Sequence, residues 1–157
     1  MSAVIRGTRQ DTWIVNLKVE NPKLVAAGQP GHMIDYDVWD TKSGGEIDSE
    51  ENLYYPGGMK PAYSLGGRVN PGQLTLSRNY RLSRDHDNIQ QLIDAVGKSK
   101  IIVSMRPMDR YKNPYGSPIV WTGTLKTVTL PEHNSMSTTD AAMIEIVCSI
   151  DKPPTST

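Results

Sequence analysis

One amphipathic helical run, enclosed on both sides by segments of period two, limits what this chain can fold into. Residues 83–97 (SRDHDNIQQLIDAVG) place Ile89, Leu92, Ile93 and Val96 at helical spacing. Ser83 or Asp85 can cap the start and Gly97 can close the end. Just before it, residues 73–80 alternate apolar and polar as a half-buried strand does, and a strand over 100–106 follows at once. The pattern predicts a mainly β subunit, a sandwich or barrel, flanked by one α-helix that covers an opening.

The remaining strands follow from the same alternation. Trp13, Val15, Leu17 and Val19 form one face of a first strand against Ile14, Asn16 and Lys18. Residues 32–40 give a second, with Ile34, Tyr36 and Val38 expected on one side and Asp35, Asp37 and Trp39 on the other. The run 119–130 is rich in threonine and valine, and over 141–150 Ile144, Ile146, Cys148 and Ile150 alternate inward. Residues 111–116 (YKNPYG) signal a turn, and 131–140 is a polar connector. Pro153 and Pro154 lack the backbone donor, so 151–157 is expected to be a flexible tail. The 157 residues, without a tandem repeat, are read as one domain, 1–157.

Between 41 and 72 the periodicity dissolves into Gly and Pro pairs. That is too long for an ordinary connection in a compact domain. Leu53, Tyr54, Tyr55, Met59, Tyr63 and Leu65 distinguish it from a solvated linker, which would not carry so many large apolar side chains. The segment is expected to be an arm that needs a surface to cover.

Charge and motif content narrow the function. Lys plus Arg and Asp plus Glu each number 17, so no basic excess is available for gripping phosphates. The N-terminus lacks the apolar core of a signal peptide, and no run of about 18 apolar residues occurs; a soluble protein of the reducing cytoplasm, with no membrane insertion, is expected. Cys148, the single cysteine, lies at a core position of its strand and reads as an inert thiol. His32, His86 and His133 have no second ligand at metal spacing. Asp85, His86 and Asp87 fall at a helix start, where carboxylates serve the unpaired amides. Gly66, Gly67 and Arg68 are not followed by a helix or a Gly-Lys-Ser/Thr ending. The sequence offers no catalytic set, no metal site and no cofactor site.

The polar face of the strands has two readings. Asp35, Asp37, Thr122, Thr124, Glu145 and Ser149 are either a solvated face or the wall of a channel. A carboxylate-lined wall would repel phosphates and let nucleic acid pass without sticking.

The order of these parts resembles the tail tube (major tail) proteins of tailed bacteriophages, related in fold to the tubes of contractile injection machines. The likeness is carried by residues 56–67 (PGGMKPAYSLGG) and 72–80 (GQLTLSRNY), a Gly/Pro-rich stretch leading into a strand with an arginine shortly before the helix. It implies rings, hexameric in that family, whose sheets join into a continuous inner β-barrel and stack into a hollow tube delivering DNA. It also implies that the arm reaches across subunits or rings, that the helix lies outside the barrel, and that tape measure, tail terminator and distal tail proteins are partners. The location implied is the tail of a virion assembled in a host cytoplasm. Ring closure would also pair sheet edges that are otherwise an aggregation hazard.

Two other classes stay open. A small β-barrel could bind a ligand or flavin in a pocket lined by Trp13, Trp39, Trp121 and the tyrosines. A virion decoration or tail-completion protein would be structural without forming a tube.

Overall fold

The computed structural model describes residues 8–28, 32–49, 51–67, 69–109 and 111–156. Six long strands occupy the alternating segments: β1 (Trp13–Glu20), β2 (Met33–Trp39), β8 (Gln73–Asn79), β9 (Lys100–Pro107), β10 (Ile119–Thr129) and β11 (Met143–Ile150). Between β2 and β8 lie five short ones: β3 (Thr41–Gly44), β4 (Ile47–Ser49), β5 (Leu53–Tyr54), β6 (Tyr63–Ser64) and β7 (Val69–Pro71). The main sheet is antiparallel with order β2-β1-β9-β10-β11-β8-β3.

The two edges of this sheet belong to one piece of chain. β2 pairs with β1 and β3 pairs with β8, yet only Asp40 separates β2 from β3. The extended segment 33–44 therefore bends from one edge to the other and curls the sheet into a barrel. Asp40 N–H donates to Ser77 O at 3.1 Å at the corner. Among the described residues, the outer edges of β2 and β3 have no strand partner of their own in this subunit.

Alternation puts Val15, Leu17 and Val19 of β1, Leu74 and Leu76 of β8, Ile101 and Val103 of β9, Leu125 of β10, and Ile144, Ile146 and Cys148 of β11 into one buried core. Full burial of each large aliphatic side chain contributes about 1.5–3 kcal/mol.

β2 departs from simple alternation. Asn16 faces Val38 but Lys18 faces Asp35, so β2 carries one extra residue, and Asp37 there has φ 67°. A bulge reverses which side later residues face. Trp39 consequently enters the core, 3% exposed, and Val38 turns outward at 43%, the reverse of the sequence expectation.

The helical segment is shorter than its sequence pattern. A π-type turn spans Leu82–His86, and the α-helix α2 covers only Ile89–Ala95. Leu92 and Ala95 are buried, with Ile89 and Val96 packed beside them. Ile93, assigned to the packing face from sequence, is 40% exposed. At 100° per residue it lies on the far flank of an arc centred near Leu92, and Ala95 takes the inward place. Gly97, with φ 77°, ends the helix and donates its N–H to Leu125 O at 2.8 Å. A second short helix, α1 (Pro22–Ala26), had no counterpart in the sequence reading. Pro22 suits a first helical position, and Asn21 Oδ1 accepts Lys23 N–H at 3.1 Å.

Two further readings are corrected. The first four residues of 41–72 belong to the main sheet as β3, and the rest is an interrupted two-stranded arm, with β4 on β7 and β5 on β6. Gly44 and Gly45 turn the chain into it with φ 79° and 76°; a Cβ on Gly45 would sit 2.9 Å from Leu74 Cδ1. At the other end, 151–156 is no detached tail. Thr155 N–H donates to Val120 O (3.0 Å), Val120 N–H returns to Thr155 O (2.8 Å), and Asp151 N–H reaches Thr122 O (3.0 Å). Neither proline has to donate for that bridge to form.

Candidate functional site

Three surfaces bear on function: the outer face of the sheet, the arm, and the mouth of the barrel. Outer-face residues lie in rows set by strand register. One row runs Asp35, Lys18, Ile102, Thr122, and another Lys100, Thr124, Ser149, Gln73. A third runs Thr129, Glu145, Ser77, Thr41. Asp35, Thr122, Glu145 and Ser149 are exposed and Thr124 half-buried, so five of the six polar residues singled out in the sequence share this face.

Asp37 stands apart. Its place in the bulge removes it from the rows, its N–H is held by Asp35 Oδ1 at 2.8 Å, and its charge acts on Arg78, whose side chain is buried on the opposite face. Nor is the face an acidic wall. Lys18, Lys100 and Arg106 share it with Asp35 and Glu145, and the remainder is dominated by Ser and Thr.

The arm exposes Leu53 (48%), Tyr54 (47%), Tyr55 (73%), Met59 (102%), Tyr63 (52%) and Leu65 (63%). Tyr54 and Tyr63 sit opposite each other across β5 and β6, rings 5.3 Å apart. Beyond this ladder, its principal contacts are with its own return strand. Ile47 and Val69 at its root are also exposed, giving an apolar surface of a kind that marks an interaction site.

At the mouth, Trp13, Val15, Trp39 and Met105 line a cleft of about 370 Å³ together with Arg9, Asp40 and Lys42, and Arg9 pairs with Asp11 at 3.0 Å. The Trp39 indole N–H is buried and has no hydrogen-bond partner. Lys42 Nζ lies 4.4 Å from the Trp121 ring centroid, and burial lowers its pKa. Of the tryptophans expected to line a pocket, Trp13 and Trp39 do so and Trp121 does not.

A polar cluster that sequence reasoning missed braces the barrel seam. Arg78 occupies a core position on β8, 1% exposed, and donates to Tyr36 O and Val38 O (3.2 Å) of β2 while pairing with Asp85. Asp85, read from sequence as a cap, also accepts Arg81 N–H at 2.9 Å and pairs with Arg84 at 3.1 Å. Burial pushes its carboxyl up, but the Arg81 amide and the two guanidinium groups outweigh it and hold the pKa below 3.8. The available signal was a charge at an inward-facing strand position, after Leu74 and Leu76.

None of these surfaces carries reactive chemistry. Burial pushes the Cys148 thiol up to about 12, which leaves it unreactive. His86 Nδ1 lies 2.8 Å from Tyr80 Oη. Among the described residues no group of His, Cys, Asp and Glu could hold a metal ion, and no helix is long and apolar enough to cross a membrane.

The sequence matches no protein-family model and no curated protein. Solved structures do share the fold. A chain in the sheath–tube complex of an extracellular contractile injection system (PVC) in its extended state matches with a TM-score of 0.67 and 14% identity, over 98% of this chain and 95% of that one. A chain in the anti-feeding prophage (AFP) tube-terminating cap matches at 0.63 and 16%, over 100% and 96%. A third, from the PVC sheath/tube terminator, matches at 0.61 and 18%, over 96% of each. These are structures of injection-machine assemblies, not of enzymes. The chain has, over essentially its whole length, the fold of components of contractile tail-like machines.

Proposed function

We propose that this protein is a structural subunit of a tail-like machine that self-assembles into rings, hexameric by resemblance, stacked into a hollow tube. The carrying observation is the arm: large apolar side chains exposed on a ladder that its own subunit leaves uncovered, in a chain with the fold of tube-bearing assemblies. Permanent interfaces bury on the order of 2,000 Å² or more, and an arm of this size is suited to supply a large share.

The outer face is the candidate lumen wall, with Asp35, Thr122, Thr124, Glu145 and Ser149 toward the channel. Mixed charge among hydroxyls favours passage of cargo, DNA by the phage resemblance, through weak contacts rather than through repulsion by carboxylates. Copies of the same chain are the first partners; tape measure, terminator and distal tail proteins follow by resemblance, within a virion or tail-like particle.

Negative-stain microscopy and sedimentation of the purified protein test the reading. Stacked tubes are expected, and removal of 51–65 should leave folded subunits that no longer assemble. A wild-type protein that stays monomeric at high concentration would overturn it. Likeness to cap and terminator structures favours a second reading, a subunit that closes a tube's end; single rings without stacking would identify it.

A further inference from the structure

The first half of β10 is covered on one side by a ladder and on the other by a strap. β9 pairs with Ile119–Thr124, but β11 reaches back only as far as Gly123, opposite Ile150. The edge at Val120 and Thr122 is taken by the residues that follow β11. Asp151 N–H donates to Thr122 O at 3.0 Å, and Thr155 and Val120 exchange both of their backbone bonds, at 3.0 and 2.8 Å.

Little holds that strap in place. Between the two contacts β10 has only Trp121, whereas the strap has Lys152, Pro153 and Pro154, so it bows away from the sheet. The prolines have no N–H to give to a ladder. Lys152, Pro153, Thr155 and Ser156 are exposed and Pro154 is half-buried, and none of these side chains belongs to the core. A cavity of about 550 Å³, lined by Asp151, Lys152, Lys100, Ile102 and Thr122 among others, lies beside its start. Past Asp151, two hydrogen bonds have to offset the ordering of the five residues 152–156, so the net hold is slight. Release leaves the N–H and C=O of Val120 unpaired on a strand edge, and such an edge accepts an extended segment of another chain.

We propose that residues 152–156 are an exchangeable strap: in the assembled protein, the strap of a second copy takes the place on β10 that each chain's own strap holds in the free subunit. This rests on the self-assembly reading and adds to it a link between copies that the arm does not supply. The second copy is the occupant because its strap has the same sequence and offers Val120 the same pair of bonds that is made within one chain. Pro153 and Pro154 favour extended backbone, which suits a strap that leaves one subunit for its neighbour.

The full chain tests this in two ways. In dilute solution, before assembly, amide exchange should be at least about 100-fold faster at Val120, whose N–H bonds the strap, than at Trp121, whose N–H points toward β9. Val120→Cys protein is then mixed with Thr155→Cys protein and allowed to assemble under mild oxidant. A disulfide joining the two different chains is expected, and Cys148, fully buried, does not compete. A control with both substitutions in one chain, kept dilute, should close internally, because directly opposed antiparallel residues lie within disulfide reach. Near-UV circular dichroism and melting curves establish that every variant is folded. If assembly proceeds and no mixed disulfide forms although the control closes, the strap stays with its own chain and self-assembly stands. Val120 exchanging as slowly as Trp121 would overturn the proposal by itself. If the wild type does not assemble at all, both readings fall.

Discussion

The guanidinium of Arg78 lies over the indole of Trp39, 4.2 Å from the ring centroid, and joins two strands at a seam that lacks a continuous backbone ladder. β8 supplies the arginine and the end of β2 supplies the ring. Its position there follows from the bulge at Asp37, which turns Trp39 inward. Asp85 then neutralises the cation from the π-type turn.

Breaking this cluster is expected to be expensive. Asp85→Asn leaves Arg78 buried without its charge partner, and the cost should be about 3–5 kcal/mol at neutral pH. The folded carboxyl titrates below its ordinary 3.8, so its stabilisation is complete above that value and is lost as pH falls through the depressed one. Urea unfolding from pH 6 to pH 2 should show a weaker acid dependence for the variant than for the wild type.

The helix makes a contrasting pair of predictions. Leu92→Ala should cost about 2–5 kcal/mol in denaturant unfolding, as for a buried leucine. Ile93→Ala should stay within about 1 kcal/mol, because that side chain is 40% exposed and lies outside the buried core. Equal losses would mean that α2 presents a different face to the barrel.

On the outer face, Lys18 and Asp35 sit directly across β1 and β2. Asp35→Lys should cost about 0.2–1 kcal/mol by placing like charges opposite each other. Adding Lys18→Asp should recover the like-charge part of that cost but not the bond that Asp37 N–H makes to Asp35 Oδ1, and a double-mutant cycle from thermal melts measures the coupling.

Cys148 is expected to be inert in the folded chain. With its thiol pushed up to about 12 and no exposed surface, alkylation by iodoacetamide at pH 8 should follow the rate of unfolding rather than reagent concentration. Rapid labelling of native protein would place the last strand in a different register.

The strands were legible because each turns one face to a single core, and that geometry imposes period two on residues such as Leu74 and Leu76. What stayed hidden depends on departures from the period. The extra residue at Asp37 is marked by no glycine or proline, so Val38 and Trp39 could not be told apart by alternation. Asp85 looked like a cap because local sequence does not reveal Arg78 waiting across the seam. The arm's exposed aromatics were legible as residues without a partner. The cleft was not, because Arg9, Trp39 and Lys42 converge only after 33–44 has bent from one edge to the other.

That bend also governs which changes of length the chain can absorb. Because 33–44 keeps one register with β1 and another with β8, a single residue inserted at Asp40 would force one of the two ladders out of phase and turn its core side chains toward water. Residues added between Tyr54 and Tyr63 would disturb only a loop held at its base by β5 and β6. Lengthening and shortening over evolution should therefore collect in the arm and spare the corner.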